Sequence, residues 1–193
     1  MSKPLFCILG ASGAGKTSLV EKLERDLNMH QIPSYTTRSW RNNKSDNDHI
    51  FITEKEFKQL DNVIAYNYYM GNHYGVTLDQ INDENNILYV VDQNGLKKLK
   101  QNYKGSRKIY SIFIDCSEFD RYTRLFKRYL RIFLTDNANK AFNQTEQRIK
   151  ADKIEFKDCK KNVDCIIRNN NKDFQKAYHE IKEYILSHGG CNE

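Results

Sequence analysis

The sequence predicts an α/β fold: a P-loop core with a mostly parallel sheet flanked by helices, a small inserted subdomain and a lid. Three observations predict it. The chain opens with a buried-strand pattern, a glycine loop and an amphipathic helix; continuous apolar runs then alternate with helical patterns; and 193 residues with 39% apolar content suffice for one domain's core. Twelve tyrosines and ten phenylalanines also favour a packed chain over a disordered one, despite the Asn-rich patches.

The run Leu5 to Leu9, bounded by Pro4 and Gly10, reads as a strand buried on both faces. Ser18 to Leu27 then carries Leu19, Val20, Leu23 and Leu27 at helical spacing. The runs Ile87 to Val91, Ile109 to Ile114 and Val163 to Ile167 supply further strands, and the helical stretches are Gly95 to Gln101, Glu118 to Phe133, Gln144 to Phe156 and Asp173 to Ser187. Ser34 to Tyr74 differs, being polar, aromatic-rich and interrupted. It holds short strand-like pieces at His49 to Ile52 and Val63 to Tyr69 and a Gly71-Asn72 turn, as expected of a small inserted subdomain.

Composition removes several classes. No run approaches the ~18 apolar residues of a membrane span, and the N-terminus lacks the pattern of a signal peptide, so a cytoplasmic protein without a membrane partner is expected. Five cysteines without a CxxC pair suggest neither a disulfide framework nor a zinc site, and His49, His73, Cys159 and Cys165 form no metal set. The net charge of +6 suits an enzyme that holds several phosphates; without an aromatic-and-basic recognition motif it does not predict a nucleic-acid partner. The sequence leaves a homo-oligomer open.

Gly10-Ala11-Ser12-Gly13-Ala14-Gly15-Lys16-Thr17 matches G-x-x-x-x-G-K-[ST], set between a strand and a helix as a phosphate loop requires. Glycines let successive backbone N–H groups turn toward a phosphate at the helix N-terminus. Lys16 adds charge at the β/γ position, and Thr17 offers a hydroxyl to Mg²⁺. Ser18 follows on the same turn. A second cluster, Ser34 to Arg41, places Arg38 and Arg41 three apart in a polar segment, where guanidinium forks suit a second phosphate. A third, Arg121, Arg124, Arg128 and Arg131, lines one helix face. Taken alone that stripe reads first as a solvated face; its functional reading is a lid leading into a polar loop, Thr135 to Gln144. Asp92 follows a strand at its carboxyl end, where ligands gather in open α/β sheets. Asp115 is placed similarly, but Ser117 and Asp120 nearby look like a helix cap.

In their order these motifs resemble the guanylate kinase family. The resemblance rests on the P-loop, Ser34-x-Thr36-Thr37-Arg38-x-x-Arg41, Asp48-His49-Ile50-Phe51, Gly71-Asn72-His73-Tyr74-Gly75, Asp92-Gln93-Asn94-Gly95 and Ile167-Arg168-Asn169, and covers nearly the whole chain. It implies one domain over 1–193: a core at about 1–33 and 76–193, a nucleoside-monophosphate-binding insert at about 34–75 and a lid at about 128–148. It further implies that Gly10 to Ser18 hold ATP, with Lys16 and Thr17 serving its phosphates and Mg²⁺, and that Asn169 lies against adenine. Arg38, Arg41, His49 and Tyr74 would hold the acceptor's phosphate, Ser34 and Asp92 would face its base, and Arg128 and Arg148 would stabilise the transferring phosphoryl alongside Lys16, Arg38 and Asp92.

The chain departs from the family pattern in and near the base pocket. His49 stands where the family has a tyrosine, Ala65 where it has an acidic residue facing guanine, Val76 where it has Ser or Thr, and Val90 where many relatives are acidic. A hydrogen bond to a charged group is worth about 1.5–3 kcal/mol, so losing the carboxylate costs roughly tenfold to a hundredfold in guanine discrimination unless another group replaces it. Asn67 and the tyrosines Tyr66, Tyr68 and Tyr69 are the candidates. The expected function is ATP-dependent phosphoryl transfer to a nucleoside monophosphate, GMP or dGMP first. The alternatives are another (deoxy)nucleoside monophosphate, a sugar phosphate, or a non-catalytic module of this fold that binds proteins; the complete P-loop argues against the last.

Overall fold

The computed structural model describes residues 2–40, 48–133 and 137–190. Strand β1 (Leu5–Leu9) is wholly buried and lies at the centre of a five-stranded sheet. Its neighbours are β7 (Asn86–Val90) and β8 (Ile109–Asp115); β2 (His30–Gln31) and β9 (Cys165–Arg168) form the edges, and every pairing is parallel. Alternation along β1 splits the core. Phe6 and Ile8 pack with Leu19, Val20 and Leu23 of helix α1 (Lys16–Leu27) and with Ala177, Ile181 and Ile185 of the C-terminal helix Phe174–Ser187, while Leu5, Cys7 and Leu9 pack on the other side with Ile32, Leu96 and Leu99.

Residues 34–75 build a second sheet from β3 (Ser34–Thr36), β4 (His49–Phe51), β5 (Asn67–Tyr69) and β6 (Asn72–Gly75), in the order β4-β3-β6-β5. The strand expected from Val63 begins at Asn67; Val63 makes only an isolated bridge to Thr77. Helix α2 (Glu54–Phe57) starts from a Thr53 capping box, and α3 (Leu78–Asn82) from one built by Thr77 and Gln80. Helix α4 (Gln93–Asn102) is capped by Asp92, and α5 (Glu118–Ile132) by Ser117, whose hydroxyl accepts from the Asp120 amide as its sequence suggests.

Helix α6 (Ala138–Glu155) begins six residues before the expected Gln144, so much of the expected polar loop is helical. Its buried face is Ala141, Thr145, Ile149 and Asp152, half of it polar, which is why apolar periodicity undercounts it. It packs on α5 through Leu125, Tyr129, Ala141 and Ile149. The C-terminal helix, α7, completes the layer beside β9. No helix among the described residues is long and apolar enough to cross a membrane, and the four described cysteines are free.

Candidate functional site

A cleft opens at the carboxyl ends of β1 and β7, between the parallel sheet, the α5–α6 pair and the smaller sheet, as the switch point of an open α/β sheet requires. The P-loop forms its floor. Gly13 (φ +79°) and Gly15 (φ +93°) lie in the left-handed region; a Cβ at Gly13 would meet the backbone of Arg121, and one at Gly15 would strike the Asn169 amide. Gly15 also starts α1 with no side-chain cap, so the first amides of the helix stay open for an anion. Helix α1 begins at Lys16, two residues ahead of the expected start.

The loop is held from behind by its carbonyls. Lys16 Nζ donates to Gly10 O at 2.6 Å and Ala11 O at 3.3 Å, Arg121 Nε to Ser12 O at 2.9 Å, Arg124 to Gly13 O at 3.1 Å, and Asn169 Nδ2 to Ala14 O at 2.7 Å. The arginine stripe of α5 is therefore a solvated face only in its second half, where Arg128 and Arg131 are exposed. Arg121 and Arg124 are spent under the P-loop, Arg128 lines the cleft, and Arg131 is exposed. Asn169, 1% exposed, lies beneath Ala14 and Gly15, supporting the loop, and does not line the open cleft. Burial pushes the Lys16 ammonium down to about 8, with Arg148, Arg128 and Arg121 adding to the effect and Asp152 opposing it. Desolvation of its guanidinium likewise lowers Arg128. Phosphate oxygens entering here would favour the charged state of Lys16 and give these cations their counter-charge.

Asp152 is the residue that sequence reading missed. It is 1% exposed and collects Arg121 Nη2 at 2.7 Å, the Ser12 amide at 2.7 Å, the Ser12 hydroxyl at 3.2 Å and the Tyr69 hydroxyl at 2.8 Å. Arg148 joins the same cluster: its Nε donates to the Ser12 hydroxyl at 2.6 Å and its guanidinium stacks 4.7 Å over the Tyr69 ring. One carboxylate thus ties the P-loop, the α5–α6 pair and the tip of β5. Burial holds the Tyr69 phenol well above its ordinary value, so it remains a donor to Asp152. Asp152 falls three residues after Ile149 on the α6 stripe, where an acid is buried only when paired, and its partners lie far off in the chain.

On the opposite wall, Ser34, Arg38, His49 and Tyr74, which the resemblance assigns to the acceptor, line the cleft together. His49 and Tyr74 meet edge-on with centroids 5.9 Å apart, and Arg38, 8% exposed, lies 5.1 Å over the Phe51 ring. Arg41 lies outside the described residues. Asp92 lines the cleft while its Oδ1 accepts from the Gly95 amide at 2.7 Å, so one oxygen is used as a helix cap. Ala65 and Val90 also line the cleft, with Glu155 facing Asp92 closely enough that burial, and next Asp92, raise its carboxyl above the ordinary range. Val76 does not. It is fully buried beside Ile64 and Val91, so the missing hydroxyl there is a change in the interior.

Thr17 and Ser18 line the floor next to Lys16. Among the described residues no cluster of three His, Cys, Asp or Glu could hold a metal unaided. A single hydroxyl beside a phosphate cradle suits Mg²⁺, which takes its remaining ligands from phosphates and water.

The chain is similar to known proteins in sequence and in fold. The family model described as guanylate kinase matches residues 2–188. The chain is 31% identical to the guanylate kinase of Acinetobacter baylyi over 196 residues, covering 97% of this chain and 88% of that one. It is 29% identical to that of Mycoplasmoides gallisepticum over 195 residues, with 95% and 92% covered. The solved guanylate kinase of Anaplasma phagocytophilum shares the fold with a TM-score of 0.68 at 23% identity, over 97% of this chain and 87% of that one.

Proposed function

The chain belongs to the guanylate kinase family, and from that premise we propose that its cleft transfers the γ-phosphoryl group of ATP to GMP or dGMP, giving ADP and the nucleoside diphosphate. The observation that carries this reading is that two phosphate-holding sets line one cleft: Lys16, Arg128 and Arg148 on the P-loop side, Arg38, His49 and Tyr74 across from them.

The acceptor's phosphate oxygen attacks the γ-phosphorus as the bond to the β-phosphate oxygen breaks, without a covalent enzyme intermediate. Arg38, His49 and Tyr74 orient the attacking phosphate. Open amides of the P-loop and the α1 N-terminus take up the β-phosphate, and Lys16, Arg128 and Arg148 balance charge that spreads over the transferring group. Thr17 would hold Mg²⁺, which supplies further neutralisation of the ATP phosphates when bound. The Tyr69–Asp152 contact keeps the smaller sheet against the lid helices, where closure excludes water that would otherwise take the phosphoryl group. Asn169, by holding Ala14 O, acts here on the shape of the loop. A cytoplasmic location accords with this substrate pair.

One observation favours a second reading, a changed acceptor base: Ala65 places a methyl group in the cleft at the position where the family resemblance implies a carboxylate. A coupled assay for ADP, offering GMP, dGMP, AMP, CMP, UMP, dTMP and ribose 1,5-bisphosphate separately, tests both. We expect GMP or dGMP to lead; a lead by any other acceptor keeps the fold and phosphate machinery and overturns the guanine assignment.

A further inference from the structure

Ala65, Asn67 and Tyr69 all line the cleft, two residues apart along β5 and its approach. Asn67 pairs with Tyr74, which in turn pairs with Thr36, two residues beyond Ser34. Cross-strand partners share a face, so Ser34, Tyr74 and Asn67 belong to the one face of the small sheet turned to the acceptor. Asn67 is 6% exposed, and its Nδ2 is buried with no hydrogen-bond partner among the described residues. Native folds seldom bury an amide N–H unpaired, and one that lines a ligand cleft has an obvious partner in the ligand. Its neighbour Ala65 has no polar side-chain atom to offer.

We propose that Asn67 is a specificity-determining residue that reads the 6-oxopurine edge of the acceptor, Nδ2 donating to O6 and Oδ1 accepting from N1–H. The proposal deepens the nucleoside-monophosphate-kinase reading and rests on it. An uncharged amide can satisfy that donor–acceptor pair, but it leaves no second acceptor for the 2-amino group of guanine. Hypoxanthine, which keeps O6 and N1–H and lacks the amine, is therefore nearly as good a base here as guanine. Adenine presents the reversed pair, an acceptor at N1 and a donor at the 6-amino group, and is disfavoured by the buried position of Nδ2.

Steady-state kinetics with GMP, IMP and AMP on the wild type, Asn67→Ala and Asn67→Asp test this. In the wild type, kcat/KM for IMP should lie within about tenfold of that for GMP, with AMP far below both. Asn67→Ala should lower kcat/KM for GMP and IMP alike by about tenfold to a hundredfold, through the acceptor's KM, with KM for ATP unchanged. Asn67→Asp, which is of equal size and keeps the test open should the alanine variant fail to fold, replaces the donor to O6 by a charge that suits the 2-amino group. It should widen the GMP-to-IMP ratio about tenfold. The proposal is overturned if Asn67→Ala leaves GMP and IMP within twofold of wild type, if KM for ATP rises in step, if the aspartate variant does not change the ratio, or if wild-type enzyme prefers AMP. An enzyme that uses none of the three overturns the guanylate reading along with it; one that uses GMP but ignores Asn67 overturns this proposal alone.

Discussion

Behind the P-loop, four side chains hold five consecutive backbone carbonyls from Gly10 to Ala14, whereas across the cleft the buried Nδ2 of Asn67 has no hydrogen-bond partner among the described residues. The phosphate wall has its carbonyls bonded before any nucleotide arrives, with Asn169 Oδ1 behind it unpartnered among the described residues; on our proposal the base wall is completed by its ligand. Phosphates are alike in every nucleotide and can be met by a fixed cradle of amides and cations. Bases differ, so the groups that tell them apart are the ones left open. On the proposed reading, transition-state charge is met on the α1 side and the acceptor is chosen on the small sheet.

Substitutions can break or sharpen the contrast. The largest effect is expected from Lys16→Ala, which removes the central cation of the fixed wall and its two bonds to Gly10 O and Ala11 O: kcat should fall about a thousandfold in the coupled assay. A near-normal rate would mean that the fixed wall is not where phosphoryl transfer occurs. Next comes Asp152→Ala, which leaves Arg121 buried and unpaired beneath Ser12 and should cost about 3 kcal/mol, read from the urea midpoint. Asn169→Ala removes a buried bond to Ala14 O and should cost about 1–2 kcal/mol, with a raised KM for ATP and an unchanged KM for the acceptor. If the acceptor's KM rose instead, the two walls would not be separable as described. Smallest is Tyr69→Phe, which cuts the tie between the walls: about 1 kcal/mol, seen as a severalfold rise in both KM values with little loss of stability.

Much of the fixed wall was legible in the sequence. Glycines at the required spacing, a fully apolar β1 and the Leu19, Val20 and Leu23 stripe of α1 each follow from one physical rule, and all agree. What was not legible depends on partners distant in the chain. Asp152 sits in a stretch rich in Asn, Lys and Gln that looks like surface, and its burial makes sense only once Arg121, Ser12 and Tyr69 are brought to it. Arg121 and Arg124 read as solvated because spacing shows that they share a face without showing what that face meets. β2 has two residues, β3 three and β6 four, too few for period-two alternation to register, whereas β4 and β5 fall within the strand-like pieces read at His49 to Ile52 and Val63 to Tyr69. Ala65 and Val76 look like equal losses in sequence; in space one borders the cleft and the other is interior.

The central position of β1 has a consequence for how the chain is made. Its partners in the sheet are Leu88 against Phe6 and Ile109 against Leu5. The most apolar strand is thus the first to leave the ribosome, and its first partner strand follows about eighty residues later, an interval of several seconds at ordinary synthesis rates. During that time α1 is at hand to cover one face of it, while the other face has only Ile32, Ile64, Val76 and Ile81 from short or irregular segments. The segment that carries the phosphate loop in the finished protein is therefore the segment most in need of shelter while the protein is being born.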